Sequence, residues 1–233
     1  MIKKIISIFK CSEYIIFSYF FVFYPFFKDN GNQVFSLSWF SIIITALFCY
    51  WLILTSSQDR QIPVPLKKIS LFNSTVIIYT IITLIVVFVN MLFWTFLSNI
   101  LNVVDIKAII FDLKITNFCQ GICLVLQIAS VAGFEELFFR QFLPLRGKTI
   151  LHIVRLKNAW VEKHYFKIKM VIVEIVPVLF FALGHVYLGI IGFCNAFIAG
   201  IFLRMLYKKA HSVIPGFIMH TVYNLILISV SLL

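Results

Sequence analysis

Apolar runs of about 20 residues recur along this chain, each interrupted by a short polar or basic stretch, and a run of that length is what a helix needs to cross the hydrocarbon core of a bilayer. Seven such runs stand out, at roughly 8–27, 35–55, 74–98, 115–139, 171–189, 191–207 and 213–232. The first is the weakest, because Lys10 and Glu13 interrupt it. With 62% hydrophobic residues, 12% charged and a mean hydropathy of +1.03, the composition suits lipid rather than water as the solvent. The expected fold is therefore all-α, a polytopic transmembrane helix bundle of about seven helices. The 27 Phe, 9 Tyr and 4 Trp are scattered through the apolar runs, which reads as lipid-facing and interfacial surface.

A net charge of +11 could suggest nucleic acid, but the basic residues lie between apolar runs and no soluble basic domain exists to hold them. No nucleic-acid partner is expected. Membrane topology accounts for the charge, since Lys and Arg stay on the cytoplasmic side during insertion. With the N-terminus inside, Lys28, Lys107 and Lys114 fall outside, Arg140 falls within or at the end of the fourth span, and the other sixteen of the twenty Lys and Arg fall on the cytoplasmic side. Residues 28–33, 56–68 and the stretch after Arg140 read as loops. Residues 100–114 mix Val103, Ile106 and Ile110 with Asp105, Lys107 and Asp112, as a surface amphipathic segment would. Lys3, Lys4 and Lys10 before an apolar run resemble a signal peptide, but no small-x-small cleavage site follows, so a retained first helix is expected. Cys11, Cys49, Cys119, Cys123 and Cys194 show no zinc or redox spacing and read as packing residues.

Ionisable residues inside a span cost several kcal/mol unless paired or solvated, so those that persist face the bundle interior and carry function. The fourth span holds Glu135, Glu136 and Arg140. Glu136 and Arg140 are four apart and share a helix face, which predicts an ion pair. Glu135 is rotated by about 100° and stays free for proton transfer, although the two carboxylates can exchange these roles. Phe181 to His185 follows on the fifth span, and His220 to Asn224 on the seventh. At 1.5 Å per residue, Glu135 lies about 16 Å from the cytoplasmic edge, His185 about 20 Å, His220 about 10–15 Å and Asn224 about 16–20 Å. A carboxylate, two imidazoles and an amide thus reach a common depth. Such a set can deprotonate water, hold it, and steady an oxyanion, which is the chemistry of acyl cleavage without a protein nucleophile. Each residue taken singly also has a plainer reading, a packed membrane histidine or a structural ion pair. His152, His164 and His211 lie in basic polar stretches and read as solvated, Glu174 reads as interfacial, and Arg204 as snorkelling to the surface.

In sequence order, EExxxR at Glu135 to Arg140, FxxxH at Phe181 to His185 and HxxxN at His220 to Asn224 resemble the CAAX protease and bacteriocin-processing family, also called the Abi family. The likeness runs from about residue 115 to 230, and Ser212 to Met219 looks like the lead-in to the last motif. It implies two parts packed as one membrane domain: residues 1–114, N-terminal helices and the amphipathic segment, and residues 115–233, the catalytic core. It further implies an intramembrane endopeptidase in which Glu135 activates water with His185, His220 and Asn224 stabilise the oxyanion or help hold the water, and Glu136, Arg140 and Phe181 support the site. The substrate would be a membrane-associated peptide or protein, in bacteriocin or signal-peptide processing or in self-immunity, at a bacterial cell membrane. No cofactor is required. If a divalent metal such as zinc takes part, Glu135, His185 and His220 are its ligands, although HExxH is lacking. One departure is Gln141, where many members carry glycine after the motif arginine.

Two other classes compete. A non-catalytic membrane immunity or scaffold protein would keep the fold and work by binding, but the motifs here are complete. A small secondary transporter would show inverted repeats and paired broken helices, and neither is evident. The sequence leaves the oligomeric state open.

Overall fold

Lipid offers a peptide group no hydrogen-bond partner, so a chain this apolar must satisfy its backbone within each segment. The computed structural model describes residues 12–19, 39–58, 73–101, 117–155 and 158–231, and these are helical apart from short turns. Residues 12–19 form a short helical stretch. Next come α1 (Trp39–Gln58), α2 (Ser74–Leu101) and α3 (Phe118–Glu135). A π-helical segment, Glu136–Phe142, leads without a break into α4 (Leu143–Arg155). After α5 (Ala159–Lys163) and α6 (Tyr165–Lys169), a second π segment, Met170–Ile175, runs into α7 (Val176–Leu183). A 3-10 turn, Val186–Leu188, then α8 (Gly189–Ala210) and α9 (Ile214–Ser231) complete the order.

α2 shows how solvent overrides propensity. Its Ile, Val and Thr would favour a strand in water, yet it is a 28-residue helix. Its hydroxyls turn inward on the helix backbone, Thr80 to the carbonyl of Val76 at 2.8 Å and Thr83 to that of Tyr79 at 2.7 Å. Large side chains such as Phe40, Leu47 and Phe96 stay exposed on α1 and α2, which fits a surface facing lipid. Among the described residues, Ser74–Ile100, Phe118–Arg155 and Val186–Ala210 are long and apolar enough to cross a membrane, and Trp39–Thr55 and Ile214–Ser229 are shorter apolar helices. The chain is an integral membrane helix bundle.

Packing follows the aromatic residues. α3 packs against α1 and α9, while α8 packs against α2, α7 and α9. Phe134, Phe138 and Phe142 stack in sequence, with ring centroids 5.5 and 5.7 Å apart. Together with Phe139, Leu143, Phe181 and Leu203 they share one buried core with Leu52 of α1 and Val87 of α2.

Two expectations about the spans are corrected. The fourth does not end near 139 in a loop, because helix continues from Phe118 to Arg155. Buried partners make this possible: Leu143, Leu145 and Leu151 join the core, and Arg146 pairs with Glu13 at 2.9 Å. His152 therefore sits in α4 rather than in a loop. The fifth span is an interrupted path through the second π segment, α7 and the 3-10 turn. Most of the first span, the loops at 28–33 and 59–68 and the amphipathic stretch 102–114 lie outside the described residues.

Candidate active site

Glu135 closes α3 and Glu136 opens the π segment. From α9, His220 reaches both. Its Nε2 lies 3.5 Å from Glu135 Oε2, and its Nδ1 lies 3.3 Å from Glu136 Oε1. Glu136 also faces Arg140, 3.7 Å from Oε2 to Nε, so the expected pair forms at long range. Glu135 thus shares the imidazole with its neighbour.

Burial divides the roles. The side chains of Glu136 and Arg140 are 1% and 0% exposed, whereas that of Glu135 is 18% exposed, so Glu135 is the more accessible carboxylate. Two carboxylates on one imidazole would repel each other in a low-dielectric interior. His220, set between the two carboxylates with Arg140 alongside Glu136, is placed to offset their repulsion. Among the described residues none gives the Arg140 side-chain nitrogens a hydrogen bond; the guanidinium lies over the Phe181 ring, 4.3 Å from the centroid. The same ring packs against the imidazoles of His185 and His220, at 4.7 and 5.9 Å between centroids. Phe181 is thus the shared wall of the site.

His185 follows α7 in the turn before Val186–Leu188. Its Nδ1 lies 2.8 Å from the Phe181 carbonyl, and a carbonyl can only accept, so Nδ1 carries the proton and Nε2 is left as an acceptor in the neutral ring. Asn224 stands one turn beyond His220 on α9, half-buried, and its amide makes no hydrogen bond among the described residues. Among those residues no group of three His, Cys, Asp or Glu side chains is arranged to hold a metal ion.

Several features of the site escaped sequence reasoning. At Gly216 an added Cβ would lie 2.6 Å from Glu136 Oε2, so α9 approaches the carboxylate through a gap in its side chains. Arg204 does not snorkel outward: it is 6% exposed, bonds Glu174 Oε2 at 2.9 Å and donates through Nη1 to the carbonyl of Arg140 at 2.6 Å. Glu174 is correspondingly no interfacial bystander, and Lys208 approaches it at 3.6 Å. Behind His220, Asn90 of α2 donates to Asn195 Oδ1 of α8 at 2.6 Å, and Asn195 donates to the hydroxyl of Tyr223 at 3.1 Å. Each of these residues is a polar group inside an apolar span, and that was the signal available. Gln141, where many family members carry glycine, is buried, with no partner for Oε1 among the described residues.

Residues 118–226 match the family model described as type II CAAX prenyl endopeptidase Rce1-like, a segment that holds all three motifs. The family resemblance read from those motifs therefore holds. No curated protein and no solved structure matches the chain significantly.

Proposed function

We infer from the match of residues 118–226 to the type II CAAX prenyl endopeptidase Rce1-like family that this chain is an intramembrane endopeptidase, and we propose Glu135 as the base that activates its water. The observation that carries this reading is the Glu135 carboxylate, partly open and held 3.5 Å from the buried imidazole of His220. A water placed between Glu135 and Nε2 of His185 would give one proton to the carboxylate as its oxygen attacks the peptide carbonyl. The NH₂ of Asn224 is free to donate to the oxygen that becomes negative, and Glu135 would return the proton to the leaving amine. His220 orients Glu135, while Glu136, faced by Arg140, holds His220.

The substrate is proposed to be a membrane-associated peptide or protein, reached from the cytoplasmic face with the N-terminus inside. The test reconstitutes the full chain in vesicles with membrane peptides, among them a farnesylated peptide ending in a CAAX sequence. Glu135→Gln, nearly isosteric, is expected to lower kcat by about 10²–10⁴-fold. Equal cleavage by both proteins, or binding with no cleavage by either, would overturn the reading and favour a scaffold that works by binding.

A further inference from the structure

Proline lacks the N–H that the carbonyl four residues earlier would accept in an α-helix, and its ring crowds that carbonyl. Pro144 stands four residues after Arg140, and Pro177 four after Val173. Each proline follows a π segment after one intervening residue, Glu136–Phe142 before Pro144 and Met170–Ile175 before Pro177. The hydrogen bonds shift to five-residue spacing, Leu143 N–H to the Phe138 carbonyl and Val176 N–H to the Val171 carbonyl. Helix continues past both prolines at the cost of carbonyls that need another donor.

Arg204 supplies that donor to the first π segment. Its Nη1 bonds the Arg140 carbonyl at 2.6 Å while its Nε holds Glu174, a member of the second π segment, at 2.9 Å. One guanidinium from α8 therefore ties both irregular segments together. A forked, planar cation suits this double contact, and a single ammonium cannot reproduce its geometry. The tie falls on the residue that closes the Glu135, Glu136 and Arg140 set, so it fixes the register with which the two carboxylates meet His220.

We propose that Arg204, anchored by Glu174, is a positioning residue for the carboxylates of the site. The inference rests on the endopeptidase reading for its effect on rate, but its structural half does not. Removing the donor should loosen the π segment and let Glu135 drift from His220, and a drift of about 1 Å costs on the order of 100-fold in rate.

The full chain in vesicles is compared with Arg204→Leu, Arg204→Lys and the double substitution Arg204→Leu with Glu174→Leu. The double removes the ion pair as a unit, so it is expected to stay folded, with its thermal unfolding lowered only by the Arg140 carbonyl left without its donor, even if Arg204→Leu alone misfolds. Its kcat on the farnesylated CAAX peptide should still fall about 10–100-fold with KM little changed. Arg204→Lys should keep the stability and show the same loss of kcat. Hydrogen–deuterium exchange over 136–143 should be about tenfold faster in both, with 120–132 unchanged. Wild-type kcat and exchange in the double and in Arg204→Lys would overturn the proposal, reducing the pair to mutual charge neutralisation. If wild type cuts nothing, the endopeptidase reading falls and exchange alone decides the tie: unchanged exchange sinks it, and faster exchange sustains it.

Discussion

Gly216→Ala changes one hydrogen to a methyl in α9 and should disable the site. The backbone there is ordinary helix, so alanine is conformationally acceptable and favoured over glycine by about 1 kcal/mol. Space is the obstacle. The new Cβ would stand 2.6 Å from Glu136 Oε2 and 3.3 Å from its Cδ, so the carboxylate or the helix must retreat by about 1 Å to regain a normal contact. Glu136 has nowhere easy to go, being 1% exposed and set between His220 at 3.3 Å and Arg140 at 3.7 Å. Overpacking of this kind costs about 1–3 kcal/mol, and a shift of about 1 Å at the reacting groups costs about 100-fold in rate. Gly121→Ala is the matched control, because an added Cβ there meets nothing within 4 Å. The assay is kcat on the farnesylated peptide in vesicles together with thermal unfolding of the same samples. Gly216→Ala is expected to lose activity and stability while Gly121→Ala keeps both. Wild-type activity and stability in Gly216→Ala would refute the close approach of α9 to Glu136.

His220→Gln takes the imidazole away from both the buried Glu136 and the partly open Glu135, so it should abolish cleavage and destabilise the protein by about 3–5 kcal/mol, read by unfolding in detergent. Asn195→Leu breaks the link from Asn90 to Tyr223 and should cost about 1–2 kcal/mol, with a smaller effect on kcat than His220→Gln. Phe181→Leu removes the ring shared by Arg140, His185 and His220; a loss of kcat exceeding any change in KM is expected, measured on the same peptide.

The helical bundle and the identity of the motif residues were legible because each depends on short-range rules. Length and apolarity mark a span, and a spacing of four places Glu136 with Arg140 or His220 with Asn224 on one face. What the rules could not show was which residues of separate helices meet. Depth alone brought Glu135 and His220 to one level, but that both carboxylates would close on the two nitrogens of one ring depends on the local register of the backbone. Nothing in the spacing of Glu135 and Glu136 encodes that. Asn90 and Asn195 were likewise visible only as polar residues within apolar spans, and the partner of each lies on another helix.

The misplaced end of the fourth span shows where water-based reasoning misleads. In water, a proline at 144 and the charges of Arg140, Arg146 and Lys148 would mark a helix turning into a solvated loop, since solvent can take up the released backbone groups and hydrate the cations. Inside a bundle no such solvent exists, and the less costly solution is to keep the helix, let it slip into π spacing, and give the freed carbonyl and the buried Arg146 partners from the protein. Arg146 finds Glu13, and Arg204 takes up the Arg140 carbonyl. A helix interruption in such a chain therefore calls for a donor from elsewhere in the sequence, and an arginine within an apolar span is the first place to look for it. Arg204 meets that description, and the carbonyl it reaches belongs to the last residue of the motif that carries the carboxylates.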